Sequence, residues 1–250
     1  MAIKSPSLIE FLRRLEEVES LWKLSKDLEK SAKPEDLANA SYICRGSIVL
    51  LSGHLEAYVR DLVEQALISL HTNSLDRSLI QPHTLFYFSQ DHVKELKETN
   101  DPEKIARKIL YFLSSEAKHW KREGVVEEEF PYENFAKGFS NPTFDKISGY
   151  FARLGYSCFE ADLKRKMKGE FLTLRNSVDT LVDLRNKIAH GDHSASRTPG
   201  EFKQLLKLIK IFPYEVIRLF VGGGKKTTVI LLQVVEFEPR LQVSRFRLQP

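Results

Sequence analysis

The chain has 250 residues, 42% of them apolar and 29% charged, with only 12 glycines and 10 prolines, which is material for a sizeable core and argues against disorder. Two cysteines and seven histidines occur without CxxC or HExxH spacing, so neither a disulfide framework nor a structural zinc site is expected. The net charge of +4 is mild, but residues 1–145 hold 19 Lys and Arg against 24 Asp and Glu, whereas residues 146–250 hold 19 against 10. The basic half suits a phosphate-rich ligand, or else a solvated helix face. No run approaches eighteen apolar residues and the N-terminus has no signal-peptide core, so the expectation is a cytoplasmic protein with no membrane partner.

In chain order, Ser5-Pro6 predicts an N-cap and first turn, and Leu8, Phe11, Leu12, Leu15, Val18, Trp22 and Leu28 recur at helical spacing to about Lys30. After Lys33-Pro34 a second long helix is expected from about Glu35 to Leu70. Its stretch from Ile43 to Val63 is apolar almost all round, which predicts a central, buried helix. Apart from Arg60 and Asp61 near its end, Arg45 and Glu56 are the charges inside that stretch, about 20° apart on the wheel. Glu56 therefore needs a partner, and Arg185 is the expected one. Residues 71–90 read as an irregular connection, 91–98 and 102–121 as helices, and 124–133 as an acidic surface loop. Asn141-Pro142-Thr143 predicts a helix start, with Phe144, Ile147, Phe151 and Leu154 on one face and an end near Gly155.

The next helix is predicted from Phe171 to His190, with Gly191 just past its end. Phe171, Leu174, Val178, Leu181 and Ile188 share an apolar stripe, and Arg185 falls within it. Arg175, Asp179, Asp183, Asn186 and His190 line the polar side. Thr198-Pro199 starts another helix, carrying Phe202, Leu205, Leu206 and Ile209 and interrupted near Pro213. Gly222-Gly223-Gly224 reads as a turn. Residues 227–235 and 240–248 are β-branched and partly alternating, which predicts a short hairpin. The expected organisation is mainly α: one all-helical domain over residues 1–220, then a hairpin extension over 221–250.

The chemistry is concentrated in Asp183-Leu184-Arg185-Asn186-Lys187-Ile188-Ala189-His190-Gly191. An arginine facing a core needs a partner, because an unpaired buried charge costs several kcal/mol, in rough terms. His190 in the last turn meets the negative end of the helix dipole, which favours imidazolium. A proton-exchanging imidazole beside a fixed guanidinium suits phosphodiester transesterification, with His190 moving protons and Arg185 holding charge on the phosphorane. That scheme needs neither metal nor cofactor. Residues five apart on a helix are offset by about 140°, so the two side chains converge only if Arg185 reaches round the helix end or if two chains contribute. The alternative is structural: an Arg185–Glu56 pair and a histidine that merely complements the dipole.

Arg185-Asn186-Lys187-Ile188-Ala189-His190 matches the R-x4-6-H signature of the HEPN superfamily. Residues 45–63 (RGSIVLLSGHLEAYVRDLV) and 141–158 (NPTFDKISGYFARLGYSC) also resemble segments of a bacterial HEPN subgroup tied to toxin–antitoxin and defence loci. The resemblance spans about residues 35–192 and leaves the first helix outside. It implies a helical bundle that dimerises through its motif helices, and a metal-independent endoribonuclease acting on RNA, with an antitoxin protein as a further partner. By position it makes Arg185 the transition-state stabiliser, His190 the acid/base and Asn186 an orienting residue. Glu56, Arg45 and Asp183 become supporting residues. Other HEPN members are non-catalytic nucleic-acid- or protein-binding modules.

Overall fold

In a computed structural model the residues described are 3–31, 33–222 and 236–237. The first helix, α1 (Pro6–Glu29), starts as expected: Ser5 is extended at the N-cap, its Oγ accepts from the Leu8 N–H at 3.1 Å, and Pro6 fills the first turn. A four-residue connection turns the chain back into α2 (Pro34–Thr72). The two helices run antiparallel: the Ser7 N–H donates to Gln65, Arg14 pairs with Asp61 at 3.1 Å, and Glu17 lies 3.8 Å from His54. Cys44, Ile48, Leu51, Leu55, Val59 and Leu62 of α2 are fully buried, so the all-round apolar stretch does form the central rod.

The helices predicted at 91–98 and 102–121 form, the second in two pieces, and the rest of the stretch after α2 is more helical than the sequence predicts. The whole connection contains a short 3-10 turn (Arg77–Leu79), α3 (Pro82–Phe88), α4 (Gln90–Lys97), α5 (Pro102–Ser115), α6 (Ala117–Trp120) and α7 (Tyr132–Ala136). Segments this short are not stable on local propensity; tertiary contacts hold them. Phe88 stacks on Phe130 at 4.3 Å and Phe139 on Tyr150 at 4.1 Å, while Phe135 sits against both Phe88 and Tyr150. The acidic 124–133 segment is a loop up to α7, but one anchored in the core by Val126 and Phe130. The buried Arg77 is satisfied by the carbonyls of Val125 and Lys118.

Two further helices, α8 (Phe144–Arg153) and α9 (Phe159–Met167), precede α10 (Phe171–Ala189), which packs on α2. Thr143 caps α8, whose predicted face of Phe144, Ile147, Phe151 and, just past its end, Leu154 is buried. On α10, Leu184 is buried and Ile188 only half-buried, so the stripe turns slightly from the one predicted. The last helix, α11 (Pro199–Gly222), opens with a reciprocal capping box. The Glu201 N–H donates to Thr198 Oγ1 and the Thr198 N–H to Glu201 Oε2.

The predicted interruption at Pro213 does not occur; α11 runs straight through it. Its flanks Phe212, Val216 and Ile217 are buried, and the Tyr58 hydroxyl donates to the Pro213 carbonyl at 3.3 Å. Packing therefore outweighs the lost backbone donor. The short strands β1 (Ile3–Lys4) and β2 (Glu236–Phe237) pair antiparallel. Both strands of the predicted hairpin, 227–235 and 240–248, lie outside the described residues. No described helix is long and apolar enough to cross a membrane.

Candidate active site

The end of α10 is built as its sequence requires. His190 is the C-cap and Gly191 follows at φ +83°, in the left-handed region that favours glycine. The Gly191 N–H donates to the Ile188 carbonyl at 3.1 Å and the Asp192 N–H to the Lys187 carbonyl at 2.9 Å. This paired closure satisfies carbonyls that the helix end would otherwise leave bare. The Asp192 side chain then accepts from both the backbone and the hydroxyl of Ser194, which holds its carboxyl below the usual range. From α2, Arg45 Nη1 donates to the Asp192 carbonyl at 2.9 Å. Arg45 thus anchors the segment that follows His190.

Arg185 is half-buried, but Glu56 is not its partner. Its Nη1 donates to Asn141 Oδ1 at 2.8 Å and to Asn186 Oδ1 at 3.0 Å. Among the described residues it makes no other hydrogen bond and no ion pair. Glu56 accepts from the backbone N–H of Asn141 at 3.1 Å and lies 3.6 Å from Arg60 one turn along α2. The expected Arg185–Glu56 pair is replaced by a relay in which Asn141 stands between the two. The physical reason is that the 139–143 loop enters between α2 and α10 and presents an amide to each side chain.

Asn186 therefore belongs to the arginine's immediate surroundings. Asp183 does not: it pairs with Lys187 at 2.8 Å on the exposed face, raising that amine's pKa. The His190 imidazole is exposed, and among the described residues it makes no hydrogen bond. Arg185, Asn186, Asn141 and Glu56 are thus brought together, and His190 makes no hydrogen bond to Arg185. Sequence reading missed Asn141 as part of the site. The one signal was Asn-Pro after a glycine-containing loop, which reads equally well as an ordinary helix start.

What this arrangement offers chemically is a guanidinium fixed by neutral oxygens and, among the described residues, in no ion pair. Two amide carbonyls hold one guanidinium nitrogen without cancelling its charge, so Nε and Nη2 remain donors for an anion. A nearby carboxylate partner would have spent that capacity. No curated protein and no solved structure matches the chain. The model of the RiboL-PSP-HEPN family matches residues 9–220, a stretch that includes most of α1 as well as α10. The chain therefore belongs to the RiboL-PSP-HEPN family.

Proposed function

We propose that the protein is a metal-independent endoribonuclease of the toxin or defence type, cleaving RNA by attack of a ribose 2′-hydroxyl on the adjacent phosphorus. The observation that carries this reading is the Arg185 guanidinium, held by Asn141 and Asn186 and paired with no carboxylate among the described residues. In the reaction the 2′-oxygen bonds to phosphorus and the bond to the 5′-oxygen breaks. The products are a 2′,3′-cyclic phosphate and a 5′-hydroxyl end. His190 takes the 2′-hydroxyl proton or supplies one to the leaving oxygen, and Arg185 holds the charge on the phosphorane.

The proposed site is shared by two copies of the chain, because Arg185 and His190 of one copy are not joined by a hydrogen bond. We take an exposed edge of α2 as the self-pairing face. Tyr42, Gly46, Val49 and Gly53 recur on one edge of α2, all exposed, with Arg45 and Glu56 flanking them on the wheel. Tyr42 is 66% exposed and a side chain added at Gly46 or Gly53 meets nothing, so a second helix has room to approach. An antitoxin protein covering this region would restrain the activity.

A non-catalytic module is the second reading. It is favoured by the exposed His190, which among the described residues lacks the orienting partner that a general base ordinarily has.

The test is incubation of the purified protein with a mixed RNA pool in EDTA, beside Arg185→Ala and His190→Ala. Cyclic-phosphate ends from the parent, and none from either folded variant, support the ribonuclease. Binding of RNA without cutting, weakened by Arg185→Ala alone, supports the module. Cleavage by both variants at the parental rate refutes the assignment of the site.

A further inference from the structure

We infer that Asn141 is the positioning residue for Arg185, fixing the direction of its guanidinium relative to the frame of the fold; the inference rests on the ribonuclease reading for its kinetic consequence. Asn141 has φ +52°, in the left-handed region that side chains rarely occupy and that asparagine tolerates better than most. A glycine would sit there with less strain, yet the chain carries an amide.

The backbone around it is tied down from three helices. From α2, Glu56 accepts the Asn141 N–H at 3.1 Å and Arg60 donates to the Phe139 carbonyl at 2.6 Å. From α8, Lys146 donates to the Ser140 carbonyl at 2.9 Å. From α10, Asp179 Oδ1 accepts the Phe144 N–H at 2.8 Å. Pro142 is buried between these ties. A loop secured this thoroughly has no need of the Asn141 side chain for its own conformation.

The side chain instead reaches Arg185. Arginine has no lone pair to offer, so the contact at 2.8 Å requires the amide oxygen to face it. Asn186 holds the same nitrogen, but it is the next residue on α10 and moves with Arg185. Asn141 comes from a separate segment pinned to α2. It is therefore the contact that references the guanidinium to the rest of the site, where displacement by about 1 Å costs on the order of a hundredfold in rate.

The experiment uses Asn141→Gly, which keeps the left-handed backbone and removes the amide. Three readouts are taken on the full chain: the melting temperature, kcat and KM on a fluorescently labelled single-stranded oligoribonucleotide, and the rotation rate of the Arg185 NH2 groups by nitrogen-15 NMR. The expected result is an unchanged or raised melting temperature, faster rotation of the Arg185 groups, and kcat lower by about 10- to 100-fold with KM nearly constant, because the lost interaction acts on the transition state.

Unchanged rotation of the Arg185 groups overturns the inference, as does parental kcat. A large fall in melting temperature also overturns it, since Asn141 would then be a structural turn residue. If the parent does not cut RNA while rotation still accelerates in Asn141→Gly, positioning stands and the ribonuclease reading fails.

Discussion

Removing the Glu56 carboxylate tests the relay between α2 and α10 directly. In Glu56→Ala the Asn141 N–H loses an ionised acceptor at 3.1 Å, a type of bond that contributes about 1.5–3 kcal/mol. The Glu56–Arg60 pair, at 3.6 Å with Arg60 42% exposed, adds only about 0.3–0.5 kcal/mol, and Arg60 keeps its bond to the Phe139 carbonyl. The sum is about 2–3.5 kcal/mol, which for a chain of this size lowers the melting temperature by about 4–14 °C. Glu56→Gln retains a neutral acceptor and is expected to lose about 1 kcal/mol. Thermal and urea unfolding followed by circular dichroism measures both, and hydrogen exchange at the Asn141 amide locates the effect.

The double variant with Arg185→Ala separates this arrangement from a direct Glu56–Arg185 ion pair. In a direct pair, removing the carboxylate strands a charge at a cost of about 3–5 kcal/mol, and removing the arginine as well relieves it. Here Arg185 leans on neutral amides, so the second substitution adds its own small cost and rescues nothing. Rescue of stability by Arg185→Ala, or a Glu56→Ala protein that melts with the parent, would refute the relay.

Three more expectations follow from the same geometry. Gly191→Ala forces a side chain into φ +83°, where space is open but the backbone is strained; a loss of about 1–2 kcal/mol is expected in urea unfolding. Burial holds the imidazoles of His54 and His119 below their ordinary 6.5, reinforced by Arg14 and by Lys118 and Arg77 and opposed by Glu17 and Glu10 and by Glu116 and Glu128 respectively. The unfolded chain therefore takes up these protons first, so their contribution is complete above pH 6.5 and lost as pH falls below it. Unfolding midpoints should drop as pH falls below 6.5, and His54→Gln or His119→Gln should flatten that slope; a parental slope in both variants contradicts the assignment. Finally, Val49→Asp puts a charge in the exposed α2 edge beside Gly46 and Gly53. Sedimentation at micromolar concentration should report a dimer for the parent and a monomer for the variant, and unchanged association would remove this face as the seam.

Much of the framework follows from residue order alone, because it is set by interactions a few residues long. The apolar spacing of Leu8 to Val18 and of Ile43 to Val63 fixes two long helices and marks the second as central. Caps at Ser5, Thr198 and Gly191 fix where helices begin and end, since each closes backbone groups within one turn.

Tertiary structure decided what periodicity does not encode. Short helices such as α3 and α7 exist because Phe88, Phe130 and Phe135 meet, and those contacts join residues far apart in the chain. Pro213 stays inside α11 because buried neighbours outweigh its missing donor. Above all, the partner of Arg185 depends on which loop lands between α2 and α10. Helical spacing can say that an arginine faces inward, but not whether a carboxylate or an amide will meet it there. That Asn141 meets it, 44 residues earlier in the chain, leaves the charge of Arg185 uncancelled among the described residues, and only the folded packing of three helices around one strained loop brings that about.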